Sequence, residues 1–141
     1  MAVRYFALIY GIVFLVVGIA GFIPGLVTPF AAEHPELALN AGAGQLLGLF
    51  PVNVLHSIVH VLFGIWGLVA WRSVPGSIKY ARGVAIIYAV LFVMGLIPLL
   101  HTTFGLIPLY GHNIWLHAAL ALVAAYFGFA AKADTGATAH A

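Results

Sequence analysis

The chain has 141 residues, of which 65% are hydrophobic and only 6% are charged, and its mean hydropathy is +1.16. Because an ordinary soluble domain carries about a quarter charged residues, this composition excludes a soluble globular or disordered protein and indicates a single integral membrane domain. The net charge of +2 is too small for nucleic-acid binding, and the lack of cysteine excludes disulfides, thiolate sites and Cys-ligated metals.

Four apolar segments approach the roughly 20 residues that a membrane-spanning helix needs. In chain order they are Tyr5–Ile23, Val52–Trp71, Ala81–Ile97 and Ile114–Ala131. The segments are continuously apolar, whereas barrel strands alternate, and an open sheet is too costly in lipid. We therefore predict an all-α polytopic membrane protein with four transmembrane helices and no strand. Residues 1–131 form the membrane domain, and residues 132–141 form a flexible cytoplasmic tail.

The basic residues predict the orientation of these helices. With four spans, all five fall on one side of the membrane: Arg4, Arg72, Lys79, Arg82 and Lys132. Because Lys and Arg accumulate on the cytoplasmic side, we expect both termini there. The loops at 24–51 and 98–113 then face outward, and the first of them contains Glu33 and Glu36.

The first outer loop is long and only partly polar. Residues 32–36 predict a turn into a short helix, with Pro35 near its start. Several leucines follow, which is unusual for a freely solvated loop. We therefore expect this stretch to lie on the helix bundle or in the headgroup layer.

One face of the second helix carries polar residues. The residues that recur at steps of three and four, and therefore share a single helix face, are Asn53, His56, His60, Gly64, Gly67 and Trp71. At about 1.5 Å per residue, His60 lies about 12 Å beyond Val52 and therefore inside the hydrocarbon core. Lipid cannot satisfy an imidazole, so this face is expected to point into the bundle or a wet cavity.

The histidines are concentrated on the outer side. Six of the seven belong to outer loops or outer halves of helices: His34, His56, His60, His101, His112 and His117. The seventh, His140, is in the tail. Since the spans contain no acidic residue, polar chemistry inside the membrane depends on imidazole, on Asn53 and Asn113, on hydroxyls and on the backbone.

Three interpretations of these histidines remain open. They can hydrogen-bond across helices and hold the bundle together, bind a metal ion or tetrapyrrole, or form a proton or ion path. For haem or a chlorophyll-type pigment the candidate binding residues are His56, His60, His117, Asn53 and His101. For a transition metal they are His56, His60, His117 and His112.

Catalytic patterns are absent from the sequence. No pair of carboxylates lies near the membrane site, and Ser57 is adjacent to His56, a spacing at which helical side chains do not face each other. We therefore favour a non-enzyme, an accessory subunit of a larger membrane complex or homo-oligomer that holds a cofactor. A proton- or metal-coupled transporter and a purely structural assembly protein are the alternatives.

The segment Leu49–Leu68 resembles the signature of a bacterial four-helix membrane family catalogued as a domain of unknown function. The signature is Phe-Pro-Val-Asn, two residues, His-Asn, two residues, His, and then Gly-x-x-Gly. Residues 105–117 resemble the second motif of the family, and residues 79–83 also fit. The resemblance implies a four-helix bundle in the plasma membrane, or in another energy-transducing membrane of a bacterium. The family usually has Asn where Ser57 stands and an acidic residue where His112 stands.

Overall fold

Four helices make up most of the fold. The computed structural model describes residues 1–30 and 33–131, so the predicted tail at 132–141 lies outside the described residues. The elements in chain order are α1 (Ala2–Ala20), β1 (Val27–Thr28), β2 (Gly44–Leu46), β3 (Phe50–Val52), α2 (Val54–Ala70), α3 (Val74–Leu96) and α4 (Asn113–Ala125), and α4 continues as a π-helical turn (Tyr126–Ala130).

Three helical stretches are long and apolar enough to cross a membrane. They are α1, α3 and the continuous stretch Asn113–Ala130. The remaining helix, α2, is also apolar but has only 17 residues. The helical character predicted from the sequence is therefore confirmed.

The third helix begins at Val74, well before the predicted start at Ala81. Ser73 caps it, because its Oγ accepts a hydrogen bond of 3.1 Å from the Gly76 N–H. One turn later the buried Ser77 hydroxyl donates to the Ala70 carbonyl at 3.0 Å. The prediction followed the apolar run alone, whereas a capping serine starts the helix in a polar segment ahead of that run.

The prediction of no strand is wrong. The three short strands form an antiparallel sheet in the order β1-β2-β3, with Val27 opposite Leu46 and Gln45 opposite Pro51. The argument against open sheets applies to backbone exposed to lipid, and this sheet lies in the loop between α1 and α2. Leu46 and Val52 are buried, so this part of the loop packs against the rest of the protein.

The prediction of a short helix after residue 32 is also wrong, since residues 33–36 form no helix. The backbone that follows bonds to distant segments instead of to itself. The Leu39 N–H donates to the Gly105 carbonyl at 3.1 Å, and the Leu39 carbonyl accepts from Asn53 Nδ2 at 3.1 Å. These bonds join the two outer loops and the start of α2.

Helix α1 packs mainly on α2, and α3 packs mainly on α4. The backbones of α1 and α2 approach closely at glycines: a Cβ on Gly11 would lie 2.9 Å from the Leu68 nitrogen, and one on Gly67 would lie 2.7 Å from the Gly11 Cα. Small residues permit such contacts between membrane helices. The buried core between the helices includes the aromatic residues Phe6, Phe14, Tyr80 and Tyr88.

Candidate functional site

Three imidazoles meet inside the bundle. His56 and His60 come from α2 and His117 from α4, and we call these three residues the histidine cluster. The ring centroids of His56 and His60 are 4.6 Å apart, and those of His56 and His117 are 6.1 Å apart. The three side chains are 3%, 6% and 1% exposed. The imidazoles of α2 therefore face the interior of the bundle and not its outer surface.

Asn53 fixes the start of α2 and hence the position of the cluster. Its Oδ1 caps the helix by accepting from the His56 N–H at 2.9 Å. Its Nδ2 donates to the Leu39 carbonyl at 3.1 Å and to the Leu106 carbonyl at 2.7 Å. The oxygen and the nitrogen of the Asn53 amide therefore both hydrogen-bond to main-chain groups. Through these bonds Asn53 attaches the start of α2 to both outer loops.

Asn113 has the corresponding position at the start of α4. It is 2% exposed, and its Nδ2 donates to the Pro51 carbonyl at 2.6 Å and to the Pro108 carbonyl at 3.0 Å. Each buried asparagine therefore lies about one helical turn before a histidine of the cluster and ties a loop to the helix. Because Pro51 lies just before α2, the Asn113 bond also joins the start of α4 to the start of α2.

Aromatic rings border the cluster. The Phe14 ring stacks on His60 with centroids 5.7 Å apart, and the Tyr88 ring meets His117 edge to face at 5.1 Å. The described residues contain two carboxylate side chains, Glu33 and Glu36, and both are exposed in the loop before β2. Within the described chain, the surroundings of the cluster are therefore apolar or neutral.

The Nδ1 atoms of His60 and His117 are buried without a hydrogen bond in the described structure, and the buried Nδ1 of His56 also lacks one of ordinary geometry, although the His56 ring interacts with the Pro51 backbone. A buried polar atom that lacks a partner costs about 1–3 kcal/mol. Imidazole nitrogen is also the commonest protein ligand for metals. Three buried imidazole nitrogens with few or no partners at one place are thus the chemically unusual feature of the site.

The spacing of the rings is compatible with a shared ion. At a metal–nitrogen distance of about 2.0–2.1 Å, two imidazoles on one ion keep their ring centroids within about 6.5 Å. The separation of 4.6 Å lies well within that limit, whereas 6.1 Å is close to it and requires an N–metal–N angle well above the tetrahedral value. As they stand, no three His, Asp or Glu side chains of the described residues converge as metal ligands. Binding would therefore require the imidazoles to turn about their side-chain torsions.

Two of the predicted site residues lie apart from the cluster. The His101 ring contacts Tyr110 at 5.5 Å. His112 is exposed, and its Nδ1 accepts a hydrogen bond of 2.9 Å from Trp115 Nε1. Neither residue has a ring contact with the cluster, so the structure brings together His56, His60, His117 and Asn53 only.

Phe14 and Tyr88 border the cluster, although no motif in the sequence marks them as site residues. A signal was present, because Tyr10-x-x-x-Phe14 in the first helix and Tyr88-x-x-x-Phe92 in the third share one spacing. Aromatic residues at such spacing are common in any apolar helix, so the pattern alone did not separate Phe14 and Tyr88 from their neighbours. Only the packing of α1 and α3 around the cluster distinguishes them.

Long apolar helices around buried imidazoles define a small helical membrane protein. The profile of the family described as a domain of unknown function, DUF4383, matches residues 4–130. The chain belongs to this family, which confirms the resemblance inferred from the sequence. No curated protein matches the chain, and no solved structure matches it.

Proposed function

We propose that the protein crosses a bacterial plasma membrane, or another energy-transducing membrane, four times, with both termini in the cytoplasm. Three crossings are supported by α1, α3 and Asn113–Ala130. Helix α2 is about 25 Å long at about 1.5 Å per residue, and local thinning of a bilayer core of about 30 Å accommodates the difference. The orientation follows from the basic residues, since Arg4, Arg72, Lys79 and Arg82 all lie at one end of the bundle.

Within this topology the protein serves as an accessory subunit of a larger membrane complex or of a homo-oligomer. The described residues form one helical unit, and its outer loops are bonded to the helix ends by Asn53 and Asn113. No nucleophile–base pair accompanies the histidine cluster in the described chain, and the Ser57 hydroxyl points towards Gly21 beyond the end of α1. These features fit a ligand-holding subunit better than an enzyme.

The ligand of the histidine cluster is a transition-metal ion. The observation that carries this proposal is the meeting of three buried imidazoles, two of which, His60 and His117, have an Nδ1 without a partner in the described structure, while His56 interacts only weakly, with the Pro51 backbone. An ion bound by these nitrogens would remove the cost of burying them unsatisfied, and imidazole suits zinc, copper, iron and nickel. A tetrapyrrole is less favoured because Phe14 and Tyr88 pack directly on the imidazoles where a macrocycle would need space.

The test is purification from the native membrane in mild detergent without chelators, followed by metal analysis and a visible absorption spectrum. We expect a stoichiometric metal ion that is lost in His56→Gln and in His117→Gln. His101→Gln and His112→Gln are matched controls outside the cluster and should retain the ion. An absorption spectrum typical of a tetrapyrrole would show that the ligand is a tetrapyrrole and not a simple metal ion. A folded, colourless and metal-free protein would contradict both and favour a structural role for the histidines.

The accessory role has its own test. Mild solubilisation of the native membrane followed by native electrophoresis should show the chain in a species larger than its monomer. Migration only as a monomer would contradict this part of the proposal.

A proton- or metal-coupled transporter is the second candidate. The supporting observation is that the ring of the buried Tyr88 contacts His117 edge to face, so a phenol and an imidazole are neighbours inside the bundle. Liposomes that contain the purified protein should then show a flux driven by pH or by metal, and His117→Gln should abolish it. An absence of flux in intact proteoliposomes would exclude this candidate.

A further inference from the structure

The end of the bundle opposite to the histidine cluster carries positive charge without nearby carboxylates in the described chain. Arg4 lies in the first turn of α1, Arg72 and Lys79 lie on either side of the start of α3, and the side chains of Glu33 and Glu36 lie in the loop at the other end. Among the described residues, this end of the bundle therefore presents cationic side chains and no carboxylate.

Arg4 is held in a defined orientation at this end. Its Nε donates to the Trp71 carbonyl at 2.7 Å, and its guanidinium carbon lies 5.6 Å from the centre of the Trp71 ring. Among the described residues no hydrogen bond engages the two terminal nitrogens of Arg4. A planar guanidinium with its outer edge unused matches the geometry of a phosphate group.

Two cavities near the start of α1 share Tyr5 as a lining residue. One has a volume of about 100 Å³ and is lined by Arg4, Tyr5 and Trp71 together with Met1. The other is an apolar groove of about 440 Å³, which Tyr5 shares with Phe6, Ile9 and Tyr10 of α1 and with Val123 and Phe127 beyond them. A recess that contains Arg4 and an apolar groove large enough for one acyl chain thus share Tyr5.

We propose that this surface binds an anionic phospholipid, with its phosphate on Arg4 and one acyl chain in the groove between α1 and the end of α4. Juxtamembrane cations attract anionic lipid headgroups, and a guanidinium adds directional hydrogen bonds to the charge. With the proposed topology the lipid belongs to the cytoplasmic leaflet. The site does not depend on the ligand of the histidine cluster.

The test is native mass spectrometry of the full chain with phosphatidylglycerol and phosphatidylcholine of identical acyl chains. We expect the wild-type protein to retain phosphatidylglycerol in preference to phosphatidylcholine. Arg4→Gln should lower that preference by about fivefold, as expected for one juxtamembrane cation. Arg82→Gln is the matched control: Arg82 also bonds a helix-end carbonyl, that of Gly128 at 2.8 Å, but lines neither cavity. The preference of Arg82→Gln should fall clearly less than that of Arg4→Gln, since only general attraction between charges is lost there.

A second variant distinguishes a loss of lipid binding from an effect of Arg4→Gln on folding. Val123→Trp fills the groove and leaves Arg4 in place, and it should remove the retained lipid without changing the elution of the protein on size exclusion. Equal retention of the two lipids by the wild-type protein would overturn the proposal. Retention of phosphatidylglycerol by Arg4→Gln or by Val123→Trp at the wild-type level would do the same.

Discussion

The imidazole rings of His56 and His117 lie 6.1 Å apart, although the two residues belong to helices from different halves of the chain. The α1–α2 pair and the α3–α4 pair therefore meet at the histidine cluster. Asn53 and Asn113 bond the outer loops immediately beside this contact. The cluster thus lies at the seam between two helix pairs, where a bound ion would link both.

The proposed topology can be tested by cysteine labelling, since the natural chain contains no cysteine. A membrane-impermeant maleimide applied to intact cells should label Leu49→Cys, because this exposed position lies in the first outer loop. Ser73→Cys, between α2 and α3, should react only after the cells are lysed. Labelling of Ser73→Cys in intact cells would contradict four spans with cytoplasmic termini.

Asn53→Ala should destabilise the protein more than an ordinary loss of a helix cap. The variant removes the cap of α2 and also leaves the Leu39 and Leu106 carbonyls without the Asn53 amide. We expect a loss of about 2–4 kcal/mol in the free energy of unfolding in bicelles. Ser73→Ala is the control, because Ser73 caps α3 at an exposed position, and it should cost about 1 kcal/mol. Equal losses of unfolding free energy in the two variants would show that the hydrogen bonds from Asn53 to the loops do not contribute to stability.

The helices were largely predictable because continuous apolar runs leave few alternatives in lipid. The first turns of α3 and the outer sheet were not, because Ser73 and the strand Gly44–Leu46 lie in segments where hydropathy carries little information. Short strands of two or three residues depend on partners far away in sequence, such as Val27 opposite Leu46. That pairing cannot be read from local periodicity.

Gly11→Ala tests the close approach of α1 and α2. The new Cβ would lie 2.9 Å from the Leu68 nitrogen and 3.1 Å from the Gly64 oxygen, and both of these are backbone atoms. The helices must separate to admit it, so we expect a loss of about 1–3 kcal/mol in unfolding free energy. Gly25→Ala is the matched control, since a Cβ there meets nothing within 4 Å. A stability of Gly11→Ala equal to that of Gly25→Ala would disprove this packing.

Tyr110, in the second outer loop, should make stability depend on alkaline pH. Burial raises the pKa of Tyr110 from 10.0 to about 12. The unfolded phenol therefore ionises first, and the stability due to Tyr110 is present below pH 10 and declines between about pH 10 and 12. Melting temperatures across this range should show a decline that Tyr110→Phe reduces. The control Tyr126→Phe, which changes an exposed tyrosine, should keep the full decline. An unchanged decline in Tyr110→Phe would refute the conclusion that Tyr110 causes it.

The site was only partly predictable. The steps of three and four from Asn53 to His60 placed the imidazoles of α2 on one face, and an imidazole in lipid must turn inward. Which other histidines join them depends on how α4 and the second outer loop pack. His117 reaches the cluster, whereas His101 contacts Tyr110 and His112 contacts Trp115. The sequence could not separate these three, because all lie on the outer side.

The most direct test of the metal site is nuclear magnetic resonance of the protein labelled with ¹⁵N-histidine in lipid nanodiscs and titrated with Zn²⁺. Binding predicts that the imidazole signals of His56, His60 and His117 shift together and saturate at a single ion per chain, while those of His101 and His112 stay in place. Unshifted signals for the three buried rings, or shifts confined to exposed histidines, would contradict the proposal that the cluster binds a metal ion.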